Sequence, residues 1–283
     1  MIWYFYIKEH KMVIFPKAKI NIGLRITGKR SDGFHNIETI FYPVGLCDAI
    51  EFITQENPLK EDNLVLTGFQ SDLSPADNLV IKAVIKIREI KNIPFLKIHL
   101  LKAIPAGAGL GGGSSDASTM LKSLNRYFNL GIEIEKLKEI SLQLGSDCPF
   151  FIESNPCFAE GRGELMYPVN PLREGFHLII INQGIHINTK EAYSGCTPKP
   201  PDTNLRELYN LDISKWKDLI INDFEESIFR KHPQIAELKK SLYDMGAVYC
   251  SMSGSGSTVY GIFYKKPTIP ESLKPQIIYS DIL

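Results

Sequence analysis

Pro105-Ala106-Gly107-Ala108-Gly109-Leu110-Gly111-Gly112-Gly113-Ser114-Ser115 is the stretch on which the fold turns. Five of its eleven residues are glycine. Glycine reaches φ > 0 without penalty and has no Cβ to hold a ligand off the backbone. A loop of this composition can aim several N–H groups at one point, the way a chain cradles phosphate. Ala117, Met120, Leu121, Leu124 and Phe128 follow at three- and four-residue intervals, which predicts a helix from Ser115 or Asp116. Ser114, Ser115 and Asp116 suit its N-cap or first turn. The positive end of that helix then faces the loop and favours an anion. A glycine-rich turn between strand and helix is the plain alternative. The coincidence of five glycines, two serines and a helix start weighs against it. No Gly-Lys-Ser/Thr follows, so the loop is not a P-loop. No clear ribose-binding acid follows either, so the dinucleotide fingerprint is matched only loosely.

Composition narrows the classes. The chain has 283 residues, 44% of them hydrophobic, enough for one large or two modest domains with ample core. Lysine plus arginine equals aspartate plus glutamate at 32 each, whereas a sequence-independent nucleic-acid binder is usually basic. Cys47, Cys148, Cys157, Cys196 and Cys250 are dispersed and odd in number, with no Cys-x-x-Cys. They read as reduced thiols of a cytoplasmic protein, not as a disulfide framework or a zinc site. No apolar run approaches the ~20 residues of a membrane helix. Met1 to Ile7 is apolar but lacks a basic n-region and a cleavage site. Residues 1–11 therefore read either as an upstream start before Met12 or as an extra edge strand.

Along the chain, Val13 to Ile26 reads as a strand pair or one bent strand. From Lys19, Ile20, Ile22, Leu24 and Ile26 face one way, and Lys19, Asn21, Gly23 and Arg25 the other, toward solvent or a site on equal terms. Thr27 to Thr39 reads as a turn-rich loop. Asp48–Ile53 and Asn63–Thr67 read as strands of a meander, Asp77 as the cap of a helix from Asn78, and Phe95–Leu101 as a strand. A helix is expected over Ile134–Leu144 with Gly145 as its C-cap. Asp147 then directly precedes an apolar strand, Cys148–Ile152, which places its carboxylate near the edge of a core. Cys148 reads as a buried thiol sooner than a reactive one. His177–Asn182 is a strand and Thr197–Thr203 a loop. Ser214 should cap a helix through about Phe229 that contains Asn222 to Glu225. Pro233 and Gly246 bracket another helix. Val248–Met252, Ser253–Ser257 and Thr258–Tyr264 read strand, loop, strand.

Four ordered segments resemble the GHMP kinases, the galactokinase, homoserine, mevalonate and phosphomevalonate kinase superfamily. They are Ala18–Ile22 with Gly33-Phe34-His35, the glycine loop, Leu144–Phe151 and Ser251–Ser257, and the similarity spans about residues 13–265. Cys157–Glu164 fits a hairpin of one branch, whose acceptor is a diphosphocytidyl polyol. The resemblance implies a two-domain α+β fold. A first domain over 1–160, of a type also found in ribosomal proteins, would bind ATP. A second, over 161–283, would bind the acceptor. It implies that Lys19 and Asp147 are catalytic, Asp147 as base. It implies that Pro105, Ala106, Gly107, Ala108, Gly109, Leu110, Gly111, Gly112, Gly113, Ser114 and Ser115 hold the ATP phosphates. Asn78 and Leu79 would lie near adenine. Asn21, Phe34, His35, Thr189, Tyr193, Gly254 and Ser255 would serve the acceptor. Phe34 stands where the family usually has Tyr, so stacking survives and a hydroxyl contact does not. Mg²⁺ would bridge phosphate oxygens, with Ser115 or Asp116 as a ligand and no dedicated protein metal site. The expected partners are ATP and a small-molecule acceptor, with no nucleic acid and no membrane, in a monomer or weak homodimer. Two rivals stand beside this. Another GHMP small-alcohol kinase, of homoserine or mevalonate type, would keep the glycine loop but not Gly33-Phe34-His35 beside Lys19-Ile20-Asn21. A nucleic-acid-binding module fits the first domain's fold type but not the zero net charge.

Overall fold

A computed structural model describes residues 11–54, 61–69 and 77–283. Among these residues three four-stranded sheets carry the fold. The first has the order β1 (Met12–Ile14), β4 (Ala49–Thr54), β6 (Leu96–Lys102), β5 (Asn63–Gly68). The second runs β2 (Lys17–Lys29), β3 (His35–Cys47), β7 (Cys157–Gly161), β8 (Leu165–Pro168). The third runs β10 (Tyr249–Met252), β11 (Val259–Phe263), β9 (His177–Ile181), β12 (Ile277–Ile282). No helix among the described residues is long and apolar enough to cross a membrane. Residues 1–10, candidates for an extra edge strand, lie outside the described residues.

Strand β2 corrects the simple alternation. Its pairing with β3 slips between Ile22 and Leu24, around Gly23 at φ 66°. A bulge of this kind turns the strand and re-aims the side chains beyond it. Ile20 and Ile22 therefore enter a central core with Trp216, Tyr249 and Tyr260, while Leu24 and Ile26 enter a second core with Ile179, Ile181 and Phe224. On the polar face Lys19 and Asn21 do not meet solvent, at 3% and 2% exposed, while Arg25 is half-buried. The turn-rich loop also shrinks to residues 30–34, because β2 and β3 continue their ladder to the pair Lys29–His35.

Helix α1 (Leu79–Arg88) is capped by Asn78, whose Oδ1 accepts the Val80 N–H at 2.9 Å, one residue later than Asp77. It connects β5 to β6, and these pair in parallel, so the expected meander is absent. Parallel neighbours require such a crossover. Helix α2 (Gly112–Tyr127) begins three residues before Ser115, with Gly111 at its N-cap in the left-handed region, φ 70° and ψ 19°. A third core joins α1, α2 and α3 (Ile134–Leu142) to the first sheet. Helix α3 ends at Gln143, not at a left-handed Gly145.

Cys148–Glu153 forms a short helix, α4, instead of a strand. Pro149 sits in its first turn, where a missing N–H costs nothing, and Ser154 at φ 55° stops it. Further on, α5 (Thr189–Ser194) and α6 (Leu205–Tyr209) precede a 3₁₀ turn over Ile213–Lys215, capped by Asp212 and not Ser214. Helices α7 (Trp216–Leu219) and α8 (Phe224–Lys231) replace the single helix expected through Phe229. The break lies on β2: Leu24 N donates to Ile221 O at 2.9 Å and Asp223 N to Leu24 O at 2.8 Å. Helix α9 (Pro233–Asp244) and Gly246 at φ 92° are as expected.

Candidate active site

The site grows from the polar face of β2. Lys19 Nζ donates to Asn21 Oδ1 at 2.6 Å and lies 3.4 Å from Asp147 Oδ2. Its ammonium also stands 4.8 Å from the centre of the Phe41 ring. A buried charge persists only where partners replace water, and these three do so. Asn21 is fixed in turn, its Nδ2 donating to Thr39 Oγ1 at 2.9 Å and its carbonyl accepting from Tyr260 at 2.7 Å. Asp147 is the N-cap residue of α4, with a side chain 35% exposed, so one edge of its carboxylate faces open space.

Two loops meet over this strand. Lys19 N donates to Leu110 O at 3.0 Å, which ties β2 to the glycine loop. Asn21 N donates to Ser253 Oγ at 3.2 Å, and Ser253 Oγ donates to Gly109 O at 2.8 Å. The 253–257 loop thus rests on the glycine loop, backbone against backbone. A Cβ on Gly109, at φ 83°, would sit 1.9 Å from Ser253 O, and one on Gly256 2.1 Å from the Ala108 carbonyl carbon. Asn222, in the break between α7 and α8, donates to Met252 O and Gly254 O at 2.8 and 2.9 Å and holds that loop from behind.

The glycine loop separates two cavities. The larger, about 940 Å³, is lined by Lys19, Asn21, Phe34, His35, Asp147, Thr189, Tyr193, Gly254 and Ser255, with Gly107, Gly109 and Gly111 on one wall. The smaller, about 320 Å³, is lined by Leu66, Phe69, Asn78, Leu79, Lys102 and Asp116, with Pro105 to Gly109 and Gly111 to Ser114 opposite. Nearly every residue singled out in the sequence opens onto one or both. Leu110 instead buries its side chain in the central core, which Ala108 also joins, and the Ser115 hydroxyl is buried beneath the loop.

At the far end of the larger cavity the His35 and Tyr193 rings stack, centroids 4.9 Å apart at 22°. Phe224 meets Tyr193 edge-on at 4.9 Å. Burial, with the Asp147 and Cys196 charges adding, pushes the Tyr193 phenol up to about 12. Ser255 Oγ donates to Thr189 Oγ1 at 3.3 Å, which closes the rim.

Behind the glycine loop lies a charged cluster that sequence reasoning missed. Lys102 Nζ donates to Asp48 and, at 2.6 Å, to Asp116 Oδ2, while Asp48 Oδ1 accepts the Ala103 and Ile104 N–H groups at 2.6 and 2.8 Å. Burial raises the Asp116 carboxyl to about 7, with Lys102 opposing and Asp48 adding. Asp116 Oδ1 and Ser115 Oγ are buried and make no hydrogen bond among the described residues. Two hard oxygens without partners suit a magnesium ion that keeps water and phosphate as its other ligands. The described residues hold no group of three or more His, Cys, Asp or Glu able to enclose a metal alone. Lys102 had one sequence signal, a lysine at the junction of strand and loop. Thr39, Tyr260 and Asn222 had none, since each acts through a contact distant in sequence.

The comparisons agree with this geometry. The profile described as GHMP kinases N terminal domain matches residues 78–155, and that described as GHMP kinases C terminal matches 204–275. A Bacteroides thetaiotaomicron protein named 4-diphosphocytidyl-2-C-methyl-D-erythritol kinase is 46% identical over 261 residues, 92% of this chain and 95% of that one. A crystal structure of 4-(cytidine 5'-diphospho)-2C-methyl-D-erythritol kinase superposes with a TM-score of 0.75 at 28% identity, covering 89% of this chain and 90% of its own. A homoserine kinase from Cytophaga hutchinsonii superposes at 0.67 with 16% identity over 94% of this chain and 89% of its own, which shows a shared fold alone. The chain belongs to the GHMP kinase family, in the branch of the 4-diphosphocytidyl-2-C-methyl-D-erythritol kinases.

Proposed function

We infer that this chain transfers the terminal phosphoryl group of ATP to the 2-hydroxyl of 4-diphosphocytidyl-2-C-methyl-D-erythritol, giving the 2-phosphate and ADP. That is a step of the non-mevalonate route to isoprenoid precursors. The observation that carries the reading is the glycine loop standing between two cavities, with Lys19 beside Gly111, which lines both, and Asp147 paired to Lys19. Phosphoryl transfer passes through a loose transition state, so positioning and charge neutralisation supply most of the rate. The loop backbone and the start of α2 suit the ATP phosphates, and the smaller cavity, with Leu66, Phe69, Asn78 and Leu79, suits adenine. Asp147 accepts the proton of the attacking hydroxyl through the exposed edge of its carboxylate. Lys19, held by Asn21, orients that carboxylate and offsets charge on the transferred group. Phe34, His35 and Tyr193 receive the cytosine, and Gly254 and Ser255 close the rim with Thr189. Ser115 and Asp116 would hold Mg²⁺, which neutralises phosphate oxygens when bound.

The same reading divides the chain into an ATP-binding and an acceptor-binding unit. A boundary at residue 160 passes through β7, whose ladder with β8 continues the second sheet. The connection at 169–176 leaves all three sheets whole, and we place the division there. Free thiols suit a cytoplasmic enzyme acting on small molecules.

The test is Asp147→Asn with ATP consumption measured across the diphosphocytidyl substrate, homoserine and mevalonate. The parent should turn over only the first. The variant should lose roughly 10²–10⁴-fold in kcat with ATP affinity unchanged. Parental turnover by Asp147→Asn removes the base from the mechanism. Parental preference for homoserine or mevalonate removes the substrate.

A further inference from the structure

The larger cavity is charged in a way that the roles above leave unexplained. The chain as a whole balances 32 basic against 32 acidic residues. The cavity is lined by Lys19, Lys29, Arg162 and Lys190 but by one carboxylate, Asp147. Lys19 is paired with Asp147 across the cavity and Arg162 with Glu164 outside its lining, so the lining carries three further cations, Lys29, Arg162 and Lys190, and no second carboxylate. A concave site lined by one sign of charge concentrates ligands of the other.

Arg162 is the most defined of the three. It sits in the turn between β7 and β8, between Gly161 at φ 71° and Gly163 at φ 106°. Its guanidinium lies 5.1 Å from the centre of the Phe34 ring. Its Nε is buried and makes no hydrogen bond among the described residues; the nearest carboxylate oxygen, Glu164 Oε1, is 3.5 Å away. Glu164 does not line this cavity. A guanidinium fork beside an aromatic ring, with side-chain donors that no hydrogen bond among the described residues uses, is suited to paired phosphate oxygens.

We propose that Arg162, supported by Lys29 and Lys190, is the specificity-determining cation for the diphosphate of a nucleoside-diphosphate-linked acceptor. The proposal rests on the acceptor assigned above. A base stacked among Phe34, His35 and Tyr193 must be joined to a hydroxyl at Asp147 by a linker crossing this part of the cavity. The Phe34 ring then has two duties: it stacks the base and holds the guanidinium that binds the next group along.

Calorimetric titration with cytidine 5'-diphosphate and with cytidine separates these duties, a non-hydrolysable ATP analogue saturating the other cavity. For the parent, diphosphate affinity should fall as salt rises, while cytidine affinity stays level. Arg162→Gln should weaken the diphosphate roughly 10- to 100-fold, the range of a charge-assisted hydrogen bond, and leave cytidine unchanged. Arg162→Lys should recover part of the loss. Equal losses for both probes would show that Arg162 acts only by supporting Phe34 and overturn the proposal, as would no loss. Salt-independent diphosphate binding by the parent overturns it without any variant. A parent that binds neither probe yet phosphorylates another alcohol overturns the acceptor assignment and this proposal with it.

Discussion

Gly109→Ala would place a Cβ 1.9 Å from Ser253 O, at a backbone φ of 83°. A non-glycine residue in the left-handed region costs roughly 1–2 kcal/mol. The overlap is relieved only by lifting the 253–257 loop, which breaks the 2.8 Å bond from Ser253 Oγ to Gly109 O, worth about 0.5–1.5 kcal/mol net. Together these amount to about 1.5–3.5 kcal/mol. At 2–4 °C per kcal/mol, typical of domains somewhat smaller than this chain, the melting temperature should fall by about 3–14 °C. Because the loop rests on Asn21 as well, ATP and acceptor KM should both rise. Gly113→Ala is the matched control. Gly113 has no positive φ, and its Cβ would meet only Leu79 Cδ1, at 3.6 Å. In the first turn of α2 this change should raise stability by up to about 0.5–1 kcal/mol, since alanine loses less freedom than glycine. Differential scanning calorimetry on the pair, with ATP KM alongside, decides the matter. If Gly109→Ala melts and binds like the parent, the contact between the two loops is not what holds the site. Gly111→Val and Gly112→Val are poorer probes of phosphate binding. Their Cβ atoms would strike Phe151 Cζ at 2.7 Å and Ile104 Cγ2 at 2.9 Å, so fold and affinity would fail together.

Tyr193→Ala should raise KM for the diphosphocytidyl substrate about 10- to 100-fold and leave ATP KM nearly unchanged, since one aromatic stack is worth ~1–3 kcal/mol; steady-state kinetics with each substrate varied checks this, and an equal rise in both places Tyr193 outside the base pocket. All five thiols are raised above the usual range, Cys148 and Cys196 to about 11 and Cys157 to about 12, chiefly by burial. The thiolate fraction of Cys148, Cys157 and Cys196, and hence their reaction with a disulfide reagent, should stay low up to about pH 9 in the native protein and become fast in denaturant. Rapid native labelling of Cys148 at pH 8 would contradict its burial.

What was legible in the sequence was what is local. The glycine loop declares itself by composition, α9 by Pro233 and Gly246, and β9 by an unbroken apolar run. The misreadings have physical causes. Cys148 to Ile152 is a short apolar run, and periodicity does not separate strand from helix at that length; the tertiary context and Pro149 select helix. Asn222 and Asp223 read as helix interior because nothing nearby in sequence shows that β2 will take their backbone. Strand β5 reads as part of a meander because parallel pairing is decided by where α1 carries the chain. Lys102, Asp48 and Asp116 form one cluster from three separated segments; Asp116 reads as a first-turn residue and Mg²⁺ ligand, but nothing local ties it to Lys102 and Asp48.

Lys19 and Asn21 show why the site itself was only half legible. Polar residues at alternate positions of a strand ordinarily mean a wet face, and here Lys19 and Asn21 are almost as dry as the apolar side chains between them. The cost of drying them is met by long-range partners: Asp147 from the start of α4, Thr39 from β3, Ser253 from the 253–257 loop and Leu110 from the glycine loop. A buried ion pair seldom stabilises a fold more than well-packed apolar residues of the same size would. Stability alone therefore gives little reason to keep an ammonium under the glycine loop, and the Phe41 ring beside it could pack against a methionine equally well. The arrangement makes sense as preorganisation: a charge already desolvated and already aimed needs no reorganisation when negative charge develops next to it. Lys19 stands where the second sheet meets the glycine loop and the start of α4, and the fold around it is what keeps that charge in place.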